Sequence, residues 1–457
     1  MSAAKEFLLL FDENQKAITD DFFHFLRFKS ISSEPEYKND LLACADWLKK
    51  HLKDAGLDVQ VWETTGHPVI FASWLHAGPD KPTILLYGHY DVQPVDPIEL
   101  WDSPPFEPTL RDGNLYARGA SDNKGQCFYT VSAIKYYLKK HGSLPVNVKL
   151  CIEGEEEVGS SGLNAILKSK AKELKADSLL IVDVGIPDEE TPVVTLGARG
   201  IVSFTITFEG SNTDLHSGVH GGLAYNPNRA MSEVIAKLYD ASGRVAIPGF
   251  YDNIQEVSSE VKDKLWKEFN EKAYREKFGA QPVGGESSYS PLERATIRPT
   301  IEVNGVNGGY SGEGFKTVIP AKALLKLSCR LVPNQNPEKI GTLVKEFILA
   351  NTPTGIKVEV KIHPGVGRAL WTTAESTIVK ASAKALSGVL EKPCGYLYCG
   401  GTIPILANLQ EACGGDVALI GFDLPTDRIH APNEHFSLPR LKKGFATICS
   451  LLTHLAD

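Results

Sequence analysis

No Cys-x-x-Cys pair occurs among the eight cysteines: Cys44, Cys127, Cys151, Cys329, Cys394, Cys399, Cys413 and Cys449. Most sit in apolar runs, the pattern of reduced, buried thiols in an intracellular protein. Cys394 and Cys399 are near neighbours beside a glycine pair, but nothing in their spacing requires thiol chemistry. No stretch reaches the ~18 apolar residues that a bilayer span needs. The opening MSAAKEFLLLFDENQ has an apolar run of only five residues flanked by charge, too short for a secretory signal. The expected location is therefore the cytoplasm, with no membrane partner. Lys/Arg runs are missing and the net charge is -8, which argues against a nucleic-acid partner, since phosphates are bound by a basic face. Internal repeats, low-complexity tracts and a Gly-rich phosphate cradle are also absent.

What remains is an ordinary globular composition, 42% hydrophobic and 23% charged, in 457 residues, long enough for two or three domains. The first part alternates between two periods. Helical spacing over 41–55 ends at Gly56. Strand-like runs follow at 58–62, 69–74 and 83–87, then a helix over 124–140, a strand at 146–152, a helix at 161–174 and a strand at 178–182. Strands alternating with helices predict an α/β layered sheet. Near 197 the texture changes. IVSFTITF (201–208) alternates like a half-solvated antiparallel strand, followed by a helix at 227–240, a polar stretch over 247–298, strands at 323–331 and 356–362, and a helix at 337–350. This is an α+β pattern. From 371 the α/β texture returns, with helices at 374–389 and 438–455. The simplest account is a catalytic α/β domain, its mixed sheet flanked by helices, formed by 1–197 and 371–457, with an α+β domain, 198–370, inserted into it.

Five short segments carry candidate chemistry, each at or just after the end of a predicted strand, where open α/β sheets bind ligands. In GHYDVQP, His89 is a candidate metal ligand and Asp91 a carboxylate able to orient it. In ARGASDNKGQ, Asp122 precedes a helix and would serve equally as its N-cap or as a carboxylate bridging two cations. In EGEEEVGS, the four glutamates Glu153, Glu155, Glu156 and Glu157 must be solvated, paired or neutralised by metal, because burying them unpaired costs several kcal/mol each; otherwise they form a solvated loop before a helix capped by Ser160. Asp183 ends an apolar strand. In DRIHAPNEH, His430 is preferred over His435, which reads as a surface histidine. Together His89, Asp122, Glu157, Asp183 and His430 give three ligands to each of two cations if Asp122 is shared. That set suits Zn²⁺, or Mn²⁺ as the harder alternative. Glu156 is left over as a candidate general base.

These motifs, with DLHSG between them and in this order over about 85–435, resemble the co-catalytic metallopeptidases, the group of carnosinases, cytosolic nonspecific dipeptidases, acetylornithine deacetylases and succinyl-diaminopimelate desuccinylases. The long stretch 88–126 and the EGEEEVGS form are dipeptidase-like. The resemblance implies that His89 and Asp183 bind one metal, Glu157 and His430 the other, and that Asp122 bridges. It implies Asp91 as the partner of His89, Glu156 as general base, and His216 as a histidine reaching a partner subunit's active site to steady an oxyanion. It further implies Arg330 as the grip on a substrate carboxylate, and Thr317 and the Gly400–Gly401–Thr402 turn as further substrate contacts. The fold it implies is a catalytic domain with an inserted lid that also dimerises. Without the resemblance, His216 reads as a surface histidine, Arg330 as a rim charge, and Thr317 and Thr402 as strand threonines. The expected activity is hydrolysis of dipeptides or very short peptides by a homodimer. Amide cleavage of N-acyl amino acids on the same centre is the alternative, and a phosphoesterase or a non-catalytic binder are more distant ones. The segment 250–300 matches no motif.

Overall fold

The computed structural model describes residues 3–456 apart from 266 and 267. Among them a nine-stranded mixed sheet is the centre of the larger unit. Its middle is parallel: Thr83–His89 lies between Asn147–Glu153 and Ser178–Val182, and Asp416–Ile420 adds on beside Ser178–Val182. Antiparallel strands close both flanks. The central strands are buried on both faces, so their runs are continuously apolar. Alternate side chains serve two cores. Ile84, Leu86, Leu150 and Leu180 pack against the layer that contains helices Ala3–Leu26, Lys124–His141, Thr377–Leu390 and Leu438–Ala456. Leu85, Tyr87, Cys151, Leu179 and Ile181 face Ser161–Leu174 and Leu406–Cys413. Each such side chain contributes about 1.5–3 kcal/mol by leaving water.

A second unit is a four-stranded antiparallel sheet in the order Thr300–Gly308, Lys322–Leu331, Gly200–Glu209, Lys357–Ile362. Val202, Phe204, Ile206 and Phe208 bury one face against helices Pro227–Ala236 and Pro337–Asn351. Ser203, Thr205 and Thr207 alternate onto the other. The chain passes from the large sheet to the small one between Val193–Ala198 and Gly200–Glu209. It returns alongside: Ile201 and Gly367 exchange backbone hydrogen bonds, and Leu370–Trp371 pairs back onto Ala198 and Gly197. Gly197 has φ +146, and a Cβ there would lie 2.0 Å from the Leu370 carbonyl oxygen, so this junction requires glycine.

Several elements differ from the sequence-based expectation. The first 26 residues include the helix Ala3–Leu26, which buries Phe7, Phe11, Ile18, Phe22 and Phe25 on one stripe. The helix expected to reach 240 stops at Ala236, because Tyr239 bridges to Val245 and the Asp240 carboxylate takes the Ser242 and Arg244 amides into a turn. The unassigned stretch holds three short helices, Ser259–Lys264, Glu271–Phe278 and Pro291–Thr296, the last opened by a Ser290–Glu293 capping box. His435 is not a surface residue: it lies in strand His435–Ser437, half-buried and stacked on Tyr116 with ring centroids 4.9 Å apart. All eight cysteines are free, with Cys394 and Cys399 partly exposed and the rest buried. No described helix is long and apolar enough to cross a membrane.

Candidate two-metal site

The parallel strands deliver their C-terminal ends to one edge of the sheet. His89 closes its strand, Asp183 directly follows Ser178–Val182, and Glu156 and Glu157 form a 3-10 turn after Asn147–Glu153. Asp122 sits two residues before helix Lys124–His141, and His430 lies in the loop before His435–Ser437. The five candidate ligands form two triads that share one residue: His89, Asp122 and Asp183, and Asp122, Glu157 and His430, the ligand atoms of each lying within 4.8 Å of one another. The two carboxylate oxygens of Asp122 divide between them. Oδ1 is 3.2 Å from His89 Nε2, and Oδ2 is 3.0 Å from His430 Nε2. His430 Nε2 is also 3.2 Å from Glu157 Oε2. The N-cap position of the helix falls to Asn123 rather than Asp122, and Ser160 turns its hydroxyl to Glu153 instead of capping the next helix.

The four glutamates separate by role. Glu153 accepts from the Tyr87 and Ser160 hydroxyls, and burial pushes its carboxyl up to about 8. Glu155 accepts the Gly162 amide. Glu156 and Glu157 line a cavity of about 540 Å³ together with Asp122, Asp183 and His430. Glu157 Oε2 takes a hydrogen bond from Gln93, whereas its buried Oε1 has no hydrogen-bond partner. A buried carboxylate oxygen left bare beside two imidazoles and two further carboxylates fits a divalent cation, which takes this mix of nitrogen and oxygen ligands.

A frame holds these side chains, and of its members the sequence reading names only Asp91. Asp91 accepts the Glu156 and Glu157 amides, and its Oδ1 lies 3.2 Å from His89 Nδ1, so one carboxylate sets the ring of His89 and the glutamate turn together. Asn123 accepts the His89 amide and donates to Asp183 at 2.7 Å. Glu434, itself buried with Arg118, receives the Gly119, Ser121 and Asp122 amides and the Arg118 guanidinium at 2.7 Å. Asp427 binds Arg440 through both oxygens and shares the Ser121 hydroxyl with Asp423. Only the pairing of opposite charges far apart in sequence reveals such a frame, and sequence periodicity carries no trace of it.

The bare cluster holds protons tightly. Burial raises Glu156 well above the carboxylate range, with Asp183, Glu157 and Asp122 adding repulsion, and burial likewise brings Asp183 up to about 7. Hydrogen bonds to Asp122 and Glu157 lift His430 to about 10. Bonds from His430 and His89 hold Asp122 below its usual value against the effect of burial.

The remaining candidates divide. Thr402 and Gly401 line the metal cavity, and Arg330 Nη1 donates to Thr402 Oγ1 at 2.7 Å. Cys399 lines the same cavity, its sulfur accepting the Gly401 amide at 3.3 Å. His216 and Thr317 lie elsewhere. Both are exposed on the smaller unit, where Leu215–His216 pairs with Val318–Ile319 and the Ser217 amide bonds the Thr317 carbonyl. His216 Nδ1 accepts the Gly218 amide, and no hydrogen bond or ion pair joins it to the cluster among the described residues.

The model of peptidase family M20/M25/M40 matches residues 85–454, which include every residue of the cluster. The chain belongs to this family. Among its relatives is the Cys-Gly metallodipeptidase dug1 of Schizosaccharomyces pombe, 30% identical over 451 residues, covering 94% of this chain and 93% of that protein. The Beta-Ala-His dipeptidase of Homo sapiens is 30% identical over 400 residues, covering 85% and 78%. An M20 family metallo-carboxypeptidase from Sulfolobus solfataricus has a solved structure of TM-score 0.85 to this M20 chain at 32% identity, covering 96% of it and 99% of its own length.

Two outcomes follow for this peptidase. Cations must displace the protons held by Asp183 and His430, raised to about 7 and about 10, so apparent Zn²⁺ affinity rises with pH and binding releases roughly one proton or more per chain. Calorimetry in buffers of different ionisation enthalpy reads this, and an affinity independent of pH between about 6 and 8 contradicts it. Glu434→Gln leaves Arg118 buried without its counter-charge and costs about 3–5 kcal/mol in denaturant unfolding with chelator present; a loss below ~1 kcal/mol would show that the pair contributes little.

Proposed function

We propose that this chain is a metallodipeptidase that hydrolyses the amide bond of dipeptides or very short peptides. The observation that carries the reading is the pair of triads joined through Asp122 with Glu156 beside them, uncommitted. The relatives named as dipeptidases support the substrate class.

In this reading His89 and Asp183 hold one divalent cation, Glu157 and His430 the other, and Asp122 both. Zinc fits the ligand set, with manganese as the alternative. Such a pair supplies Lewis-acid polarisation of the scissile carbonyl and lowers the pKa of a water from 15.7 to roughly 7. Glu156 would accept the proton of the attacking water and return it to the leaving amine, a role suited to a carboxyl whose proton affinity is raised. Asp91 fixes the ring of His89 so that its Nε2 faces the site. Arg330 and Thr402, already bonded to each other, receive the free carboxylate of the substrate, with Gly401 contributing backbone, and this favours short peptides. Residues 198–370 act as an inserted lid. His216, with Thr317 beside it, serves the active site of a second subunit in a homodimer and steadies the developing oxyanion there. The cytoplasm is the proposed location.

Glu156→Gln keeps both metals by elemental analysis and loses about 10²–10⁴ in kcat on dipeptides. Retained turnover removes Glu156 from proton transfer. Mixing inactive His216→Ala subunits with inactive Glu156→Gln subunits restores part of the activity, because each mixed dimer contains one intact composite site. Confirmed mixed dimers without activity argue against His216 acting across the interface.

A further inference from the structure

We propose that a second cavity, meeting the metal cavity at the Arg330–Thr402 hydrogen bond, receives the C-terminal residue of the substrate, with Arg199 and Arg330 together taking its carboxylate and an aromatic and apolar wall taking its side chain. This rests on the dipeptidase reading and specifies which dipeptides the site takes.

The cavity encloses about 720 Å³, inside the ~300–1,000 Å³ range of small-molecule sites. Both Arg199 and Arg330 line it. Arg199 is only 8% exposed. Its Nε donates to the Gly400 carbonyl at 2.8 Å and its Nη1 to the Arg298 carbonyl at 3.1 Å. Its backbone amide bonds the Gly401 carbonyl at 3.1 Å. Arg199 thus grips the same turn that presents Thr402 to Arg330. Neither guanidinium forms an ion pair among the described residues. Arg298, on the same wall, contrasts sharply, since Glu286 and Glu256 hold it. Burial first, then the neighbouring Arg330, brings Arg199 down to about 10, with Cys399 and Glu302 acting the other way. With Glu302 as the nearby carboxylate, the two guanidiniums still hold excess positive charge, at a cost that a further anion would lower. A carboxylate placed between them lowers that cost, and the guanidinium fork matches it bidentately.

The rest of the wall comes from the stretch that matches no sequence motif. Phe269, Tyr274 and Leu292, together with Tyr239, give it an apolar and aromatic character. Of the two carboxylates here, Glu286 is held by Arg298, and Glu302 is pushed up by desolvation against the pull of Arg199. It repels an acidic side chain and tolerates a neutral one. A C-terminal glycine leaves the wall unused, whereas leucine, phenylalanine or tryptophan covers it.

The test uses metal-loaded enzyme and the series Ala-Gly, Ala-Leu, Ala-Phe and Ala-Trp. The expected kcat/KM rises by roughly tenfold or more from Ala-Gly to Ala-Phe. Ala295, exposed on the rim of the cavity, is changed to Trp to fill it. Ala295→Trp cuts the Ala-Phe to Ala-Gly ratio by a similar factor. Arg199→Met raises KM for Ala-Phe roughly tenfold and affects Ala-Phe amide much less, and Arg199→Lys recovers part of the loss. A flat series in the wild type, or an unchanged ratio in Ala295→Trp, overturns the subsite. Equal losses on acid and amide overturn the share of Arg199 in carboxylate binding and leave it a support of the turn. Activity on Ala-Gly alone overturns the subsite while the dipeptidase reading survives. No activity on any member refutes that reading and the subsite with it.

Discussion

Four carboxylates and two imidazoles crowd into one half-buried pocket, and like charges cannot stand that close away from bulk water without compensation. Asp122, Asp183, Glu156 and Glu157 meet there, and burial raises the proton affinity of the last three in the bare protein. Only Asp122, gripped by both imidazoles, stays charged with ease. A site of this kind is costly to build unless positive charge is delivered to it. The rest of the molecule is arranged so that the groups cannot relax apart. Asp91, Asn123 and Glu434 bind the backbone amides of the very segments that carry the cluster, so moving one group outward breaks several hydrogen bonds at once.

The sheet explains why the groups arrive together. Neighbouring parallel strands end at the same level, and the loops leaving them carry His89, Glu156, Glu157 and Asp183. The smaller unit contributes Arg330 by a different route. Its strand Lys322–Leu331 runs from the Ile319–His216 region toward the junction where the two sheets meet, so one strand connects the exposed surface to the rim of the metal cavity. That layout sets the candidate ligands on the edge of the large sheet and Arg330 on an element that hangs on two adjacent crossings.

The helices and strands around the candidate ligands were readable in sequence because they are strongly periodic or continuously apolar. Lys124–His141, Ser161–Leu174 and Ser178–Val182 lie within a residue or two of where the pattern puts them. The candidate ligands drew notice only as a set, because each alone reads equally as a cap, a turn residue or part of a solvated loop, whereas several strand ends in turn carry a carboxylate or histidine. Three features were not readable. The helix Ala3–Leu26 was overlooked because its aromatic stripe is diluted by charge on the outer face. Glu434 was passed over because a buried glutamate bonding three amides looks, in one dimension, like any acid beside histidines. Arg199 gives no signal in one dimension, since its contacts are to the Gly400 and Arg298 carbonyls, far along the chain, and no motif marks them.

The cluster draws on positions from 89 to 430, and its tightest support, the Glu434 carboxylate, comes later still. No amino-terminal fragment can therefore possess the centre. During synthesis the ribosome must deliver nearly the whole polypeptide before the first carboxylates find their counterparts, and until then the emerging chain carries acidic loops with nothing to anchor them. Loading with metal is thus a late event in the birth of the molecule, and a premature stop almost anywhere upstream yields a product that is incomplete in chemistry as well as in length.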